Sequence, residues 1–475
     1  MAIHYTIHIG GYAFDTSLIT IEPVLFLYMV ASYLNFPILQ ALMYEKVCTD
    51  KYNSSFCHQL KNATFQDEHK TEDTYLQSET SFWILKSNIA LMIPSCFTVL
   101  FFTGTWGDKV GRKLPIILPI IGCLVYTVGN LISSVYMTIS INCLMIGIVV
   151  NGLCGGYIGV LMAVYSYVTH VATDQNKTIR VAILEAMTSL AGTLGVFVSG
   201  IMLEKTSYVF VFSFNCIVLF IALLYSVLWV EDISADNPGR GDKGIFRYWF
   251  RDSLVETWNC VRTPRSEKKV LYVSLMMITM VILMAGTSGE MDILYLYTKR
   301  APLSWTQTTY GYYKGLENFS RSLLLLTLLP ILKKKMSMRD TTVSLGGMIS
   351  KTIAFIVIGV ASKTWMVFIV VLLSMFQGFP SSGVRSLMSG MVEKNEQGRL
   401  FSILAVAENI AALLASLMFN ELYPATLHIM PGFCFLLAAG ITVIGFCIVL
   451  YLHFDMRGSQ VYTNLQEQET TEANA

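Results

Sequence analysis

Charged residues stand inside runs of this sequence that are otherwise apolar, and the chemistry open to them is that of holding an anion and carrying a proton. Lys314, Glu317 and Arg321 are spaced i, i+3 and i+7, which gathers them within about 60° on one helical face. Lys351 and Arg385 are further cations; Glu185, Glu408, Glu290 and Asp292 are the acids. A charge in a hydrocarbon core is costly unless it meets a partner or a wet cavity, so none of these faces lipid. One reading makes Glu317 the structural partner of Lys314 or Arg321. The other gives the membrane domain a polar cavity lined by Arg385, Lys351, Lys314, Arg321, Glu317 and Glu290, with cations in excess and therefore selective for anions. The guanidinium fork of an arginine matches both oxygens of a carboxylate, which makes Arg385 the cation best suited to such a solute. Asp292, near the outer end of its run, reads as a solvated helix-end acid.

The polar stretch GTWGDKVGRK joins two of the apolar runs. Gly104, Gly107 and Gly111 let helix ends approach closely, while Asp108 can pair with Lys109, Arg112 or a neighbouring helix end, with Lys113 closing the stretch. Such a loop can lock or release a contact between helices. On charge alone it is also a basic cytosolic hairpin.

Composition settles the class. The 475 residues are 54% hydrophobic and 14% charged, with a mean hydropathy of +0.56, the balance of an integral membrane protein. A net charge of +1 and the lack of basic runs with interleaved aromatics argue against a nucleic-acid partner. The ten cysteines have no metal-ligand spacing, and no metal or organic cofactor is expected. Eight of them lie in apolar runs or the central linker; Cys48 and Cys57 share a polar loop with the sequons at Asn53 and Asn62, which points that loop to an oxidising lumen or the exterior. The sequence carries neither a phosphate-binding loop of the ATPase kind nor a metalloprotease or nucleophile-elbow motif, so an enzyme is not expected and an ion gradient must drive any transport.

Runs long enough to cross a bilayer, about 20 residues each, fall near 21–43, 82–104, 114–137, 139–169, 179–203 and 208–230, then 270–296, 310–331, 343–361, 365–391, 400–423 and 431–454. The expected fold is an all-α membrane protein of twelve spans in two six-helix halves, 21–230 and 270–454. Residues 1–20 form a short cytosolic arm, 231–269 a cytosolic linker with the turn-forming Asn237-Pro-Gly-Arg240, and 455–475 a cytosolic tail. With both termini inside, the cytosolic connections hold nineteen basic residues against seven outside, as the positive-inside rule requires. Asp174-Gln175 precedes the fifth span and Glu396-Gln397 the eleventh, and an acid follows at Glu185 and at Glu408, a hint of duplication. Glu185 then lies about 6–9 Å inside its span. Pro380, in the tenth run, frees a backbone carbonyl and reads as a gating kink.

The stretch from Gly104 to Lys113 meets every position of G-x-x-x-D-[RK]-x-G-[RK]-[RK] and resembles the loop signature between the second and third helices of the major facilitator superfamily. Beyond it, RVAILEA at 180–186, DILYLYTKRAPLSW at 292–305, VRSLMSGMVEKNEQGRLFS at 384–402 and LYPATLHIMPGF at 422–433 resemble the proton-coupled folate transporter family, solute carrier family 46, from Glu22-Pro23 to about Phe454. The resemblance implies that Glu185 is the proton-coupling acid and Arg385 a functional arginine, with Asp108 and Arg112 in the gating loop. It also carries departures. Ile148, Gly156 and Thr287 stand where the folate transporter has an arginine, an aspartate and a histidine, so folate itself is in doubt as the solute. Ser304 replaces a cysteine that ties its loop to the first external loop, which leaves Cys48 and Cys57 to pair with each other. Glu408 looks more like the lysosomal branch, and Tyr462-Thr-Asn-Leu465 has the form of an endolysosomal sorting signal.

The function expected is proton-coupled symport of a small organic anion, whether folate-like, a pterin, a muropeptide or a lysosomal catabolite, by alternating access in the plasma or lysosomal membrane. Glu408 either shares the proton with Glu185 or holds Arg385 in place. The competing reading is a receptor or scaffold that keeps the fold without transporting; a gating loop and a titrating acid in the membrane argue against it.

Overall fold

A computed structural model describes residues 6–9, 12–15, 20–60, 63–99, 111–171, 174–232, 267–334, 336, 338–391 and 397–457. Within hydrocarbon a backbone must satisfy its own hydrogen bonds, so apolar runs of this length become helices, and helices stand at all the expected positions. The first half holds α1 (Glu22–Lys51), α2 (Ser54–Gln59), α3 (Ala63–Glu68), α4 (Lys70–Thr98), α5 (Lys113–Val135), α6 (Asn142–Leu153), α7 (Gly156–Val171), α8 (Asp174–Lys205) and α9 (Tyr208–Trp229). The second holds α10 (Glu267–Lys299), α11 (Gln307–Lys334), α12 (Asp340–Val360), α13 (Thr364–Leu373), α14 (Phe379–Gly390), α15 (Gln397–Thr426) and α16 (Phe433–Arg457). Among the described residues nine helices are long and apolar enough to cross a membrane by length and composition. The α4 and α11 helices carry more polar residues, and the tenth span is split. The exception to the helical fold lies in the N-terminal arm, where β1 (Thr6–Ile9) and β2 (Tyr12–Asp15) pair antiparallel with Thr6 opposite Asp15. Gly10-Gly11 between them is a hairpin signal that the membrane pattern overshadowed.

The helices pack in the same order twice. In the first half α1 lies against α8 and α9, and α5 against α9; in the second α10 lies against α15 and α16, and α12 against α16. First span on fifth and sixth, third on sixth: the pattern recurs six spans later, which supports the duplication hinted at by the paired acids.

Two spans are broken, at corresponding places. The fourth divides into α6 and α7 at Gly155 and Gly156, whose φ of 99° and 53° only glycine adopts without strain. The tenth divides into α13 and α14 at residues 374–378. Pro380 therefore does not kink a continuous helix, as its sequence position suggested; it sits in the first turn of α14, where a missing N–H costs little. The break is propped by the ninth span: the Ser350 hydroxyl donates to the Leu373 carbonyl, and Gly347 leaves room for Phe376 and Pro380.

The chain forms two compact units. One comprises Met1–Phe65, Lys86–Phe250 and Trp305–Phe319, so it takes in the start of α11; the other comprises Gln66–Leu85, Arg251–Ser304 and Ser320–Ala475, and takes in the start of α4. In the first unit α8 and α11 cross closely. A Cβ built on Gly200 would lie 2.7 Å from the Gln307 carbonyl, and one on Gly311 3.1 Å from the Gly200 Cα. Gly311 and Gly315 form a G-x-x-x-G pair that flattens α11 for this crossing, and Thr308 Oγ1 donates to the Gly200 carbonyl at 2.9 Å.

Candidate transport site

In the second unit, α14 and α15 bring Arg385 and Glu408 together. Arg385 Nη2 donates to Glu408 Oε1 at 2.8 Å and Oε2 at 2.9 Å. The arginine side chain is 44% exposed and the glutamate 14%. Lys351 differs: it is 4% exposed and reaches from α12 into α10, where its ammonium donates to the Leu283 carbonyl at 3.3 Å and to the Thr287 hydroxyl, above the Phe355 ring. Thr287 is the position at which the resemblance expects a histidine, so a nitrogen cation is supplied there from a neighbouring helix.

The acids of the seventh span are both buried, Glu290 5% and Asp292 4% exposed. Asp292 is thus not the solvated helix-end acid expected from its position. Its Oδ2 accepts from Ser416 Oγ at 2.6 Å and Asn420 Nδ2 at 2.8 Å, and Asn420 Oδ1 accepts from Ser81 Oγ at 2.9 Å. The eleventh span carries those partners, more than a hundred residues away, and no local pattern joins them to Asp292.

Lys314 and Glu317 form the local pair that their spacing allows, at 2.7 Å. Arg321, one turn on, lays its methylenes against Gly378 at the start of α14. The charged face of the eighth span is therefore divided between the two units.

The described end of the stretch from Gly104 to Lys113 is fastened to its own half. A Cβ on Gly111 would meet Asp232 Oδ1 at 2.5 Å, and the same carboxylate accepts from the Lys113 N–H at 3.2 Å, an acid at the N-terminus of α5. Arg112 Nη1 donates to the Ser166 carbonyl at 2.7 Å and also to its hydroxyl; Lys113 Nζ donates to the Val227 carbonyl at 2.7 Å. Asp232 was not singled out in the sequence, although an acid just past the end of an apolar run is the available signal. Gly104, Gly107, Asp108 and Lys109 lie outside the described residues, as do Asn62, Tyr462 and Leu465, and the side chain of Glu185.

A disulfide joins Cys48 at the end of α1 to Cys57 in α2. Ser304 Oγ donates to Gln66 Oε1 at 3.0 Å and Gln66 Nε2 to the Lys299 carbonyl at 3.2 Å. Hydrogen bonds thus fasten the loop between α1 and α4 where the resemblance expects a covalent tie. Lys46, buried in α1, donates to the carbonyls of Met137 and Ile139 at 3.2 and 2.9 Å, an anchor that hydropathy does not reveal. Asn53 is exposed ahead of α2. Glycosidase treatment is expected to increase the mobility of the wild-type protein and to leave an Asn53→Gln/Asn62→Gln variant unchanged; Cys48 and Cys57 should resist thiol labelling until reduced. Unaltered wild-type mobility would place the loop on the other side of the membrane.

Residues 23–416 match the Major Facilitator Superfamily. The chain is 30% identical to the proton-coupled folate transporter of Bos taurus over 427 residues, 89% of this chain and 90% of that protein. It is 26% identical to the lysosomal proton-coupled steroid conjugate and bile acid symporter of Gallus gallus, over 91% of this chain and 93% of that one. Among solved structures, a peptide transporter POT in complex with sulfate aligns with a TM-score of 0.66 at 13% identity, covering 94% of this chain and 96% of that one. The human organic anion transporter MFSD10 aligns with 0.62 at 14% identity, covering 91% and 98%.

Proposed function

We propose, from the premise that this chain belongs to the Major Facilitator Superfamily and within it to the family of the proton-coupled folate transporter, that it is a proton-coupled symporter of an organic anion. The observation that carries the reading is the character of α14. Ser381, Ser382, Arg385 and Ser386 fall on one arc of this helix, while Val384, Leu387 and Met388 on the opposite arc are buried. A membrane helix with an arginine on a hydroxyl-rich, exposed face must present that face to water rather than to lipid. Arg385 supplies the fixed positive charge, and its fork suits a carboxylate or a sulfate. Lys351, already bonded to α10, raises the local potential for an anion, and Lys314 is balanced by Glu317.

The relatives' names, which print folate, a steroid conjugate and a bile acid, together with the muropeptide expected from the sequence, give the solutes to try first. Purified carrier in liposomes is expected to accumulate at least one of folate, taurocholate, estrone sulfate or a muropeptide, faster with an inwardly directed proton gradient than without it. Uptake of all four equal to that of protein-free liposomes would overturn the reading. Arg385→Lys should raise the half-saturating concentration of that solute about tenfold although the charge survives, because one of two charge-assisted hydrogen bonds is lost. Unchanged transport by that variant would make Arg385 structural.

The carrier resides in the plasma or the lysosomal membrane, and one relative is a lysosomal symporter by name. The tail signal favours the second: Tyr462→Ala should move the carrier from endolysosomes to the cell surface, read by surface biotinylation.

A further inference from the structure

Arg385 is the intramembrane cation most open to a solute, 44% exposed against 13% for Lys314 and 4% for Lys351. Glu408 occupies it from one side only. A single nitrogen, Nη2, serves both carboxylate oxygens, so the rest of the guanidinium is not taken up by the pair. Spans seven and twelve pack on α15, yet among the described residues Arg385 is the one charged group in ion-pair contact with Glu408.

Resting on the proposed function, we infer that Glu408 is a built-in competitor for the anion site: an incoming carboxylate or sulfate takes its place on Arg385, and the displaced Glu408 carboxylate binds a proton from the water at this face. The balance is simple. The pair Arg⁺·Glu⁻ with an anion and a proton becomes Arg⁺·anion beside a neutral Glu408, with no bond broken but the ion pair and one O–H formed. The site is neutral empty and neutral fully loaded. It is charged when only the anion or only the proton has bound, and those half-loaded forms are the ones a membrane disfavours. Glu408 thereby sets how anion affinity depends on pH, a role separate from that of Glu185 in reorientation.

The test is equilibrium binding of radiolabelled folate, taurocholate and estrone sulfate to the detergent-purified full chain at acidic and neutral pH, with size-exclusion profiles reporting folding. Wild type should bind at least one of them about tenfold more tightly at acidic pH, a difference of about 1.4 kcal/mol. Glu408→Gln should bind that probe as tightly at neutral pH as wild type does in acid, with the pH dependence gone. Glu408→Asp, which keeps an acid at the position, should retain it, and Arg385→Gln should bind weakly at both. A Glu408→Gln protein with wild-type pH dependence, or with weaker binding at neutral pH, would overturn the inference and leave Glu408 a positioning residue. Should wild type bind none of the three, the solute class proposed above fails and the inference falls with it.

Discussion

A Glu185→Gln carrier is expected to lose proton-driven accumulation while it still exchanges labelled for unlabelled solute. Helix α8 begins at Asp174, five residues ahead of the span edge expected from hydropathy, so Glu185 stands about 16 Å along the helix at 1.5 Å per residue. The helix packs along α1, and the run expected from hydropathy, 179–203, takes in Glu185. A charged carboxylate there resists movement into a drier surrounding, whereas a protonated one does not, and a bias of about 1.4 kcal/mol suffices for a tenfold preference in reorientation. Glutamine imitates the protonated state permanently: loaded and empty carriers would both reorient, which permits exchange and abolishes coupling. The competing role is a structural pair with a cation of a neighbouring helix, and it predicts that exchange falls together with accumulation. Concentrative uptake by the variant equal to wild type across acidic and neutral pH would remove Glu185 from the coupling mechanism.

The second large effect is expected at the crossing of α8 and α11. In Gly200→Val the new side chain would meet the Gln307 carbonyl and the Thr308 Cα, which are backbone atoms that cannot turn aside. Forcing a side chain into such a contact costs about 1–3 kcal/mol. At about 2 kcal/mol the close approach of the two helices would be populated roughly 30-fold less. The crossing lies near the C-terminal end of α8 and the N-terminal end of α11, so the variant should open this end: a cysteine at Thr308 should react with maleimide faster than in the Gly200 background, and net transport should fall by a similar factor. Gly200→Ala, with only one added carbon, should show a weaker form of both effects. Labelling and transport unchanged in both variants would mean that α8 and α11 adjust without cost and that the crossing governs nothing.

Membership of the membrane class and the positions of the helices followed from hydropathy because a bilayer leaves the backbone few alternatives to helix. Local chemistry was legible for the same kind of reason. Lys314 and Glu317 are three residues apart on one helix, and no tertiary fact was needed to bring them within 2.7 Å. The short loop that holds Cys48 and Cys57 could be recognised as a separate unit of chemistry, nine residues from one cysteine to the other. Partnership between helices was another matter. That Glu408 pairs with Arg385, that Asp292 is held by Ser416 and Asn420, and that Lys351 rests on Thr287 depend on how helices pack and rotate against one another. An apolar face on every side leaves that rotation undetermined by periodicity. The breaks divide the same way: Gly155-Gly156 could be read as a weak point in the fourth span, whereas the tenth span ends α13 where Ser350 of another helix accepts the role of capping Leu373. Residue types along the chain thus decided which groups could hold an anion and a proton; packing between helices decided that one of the acids already holds the arginine.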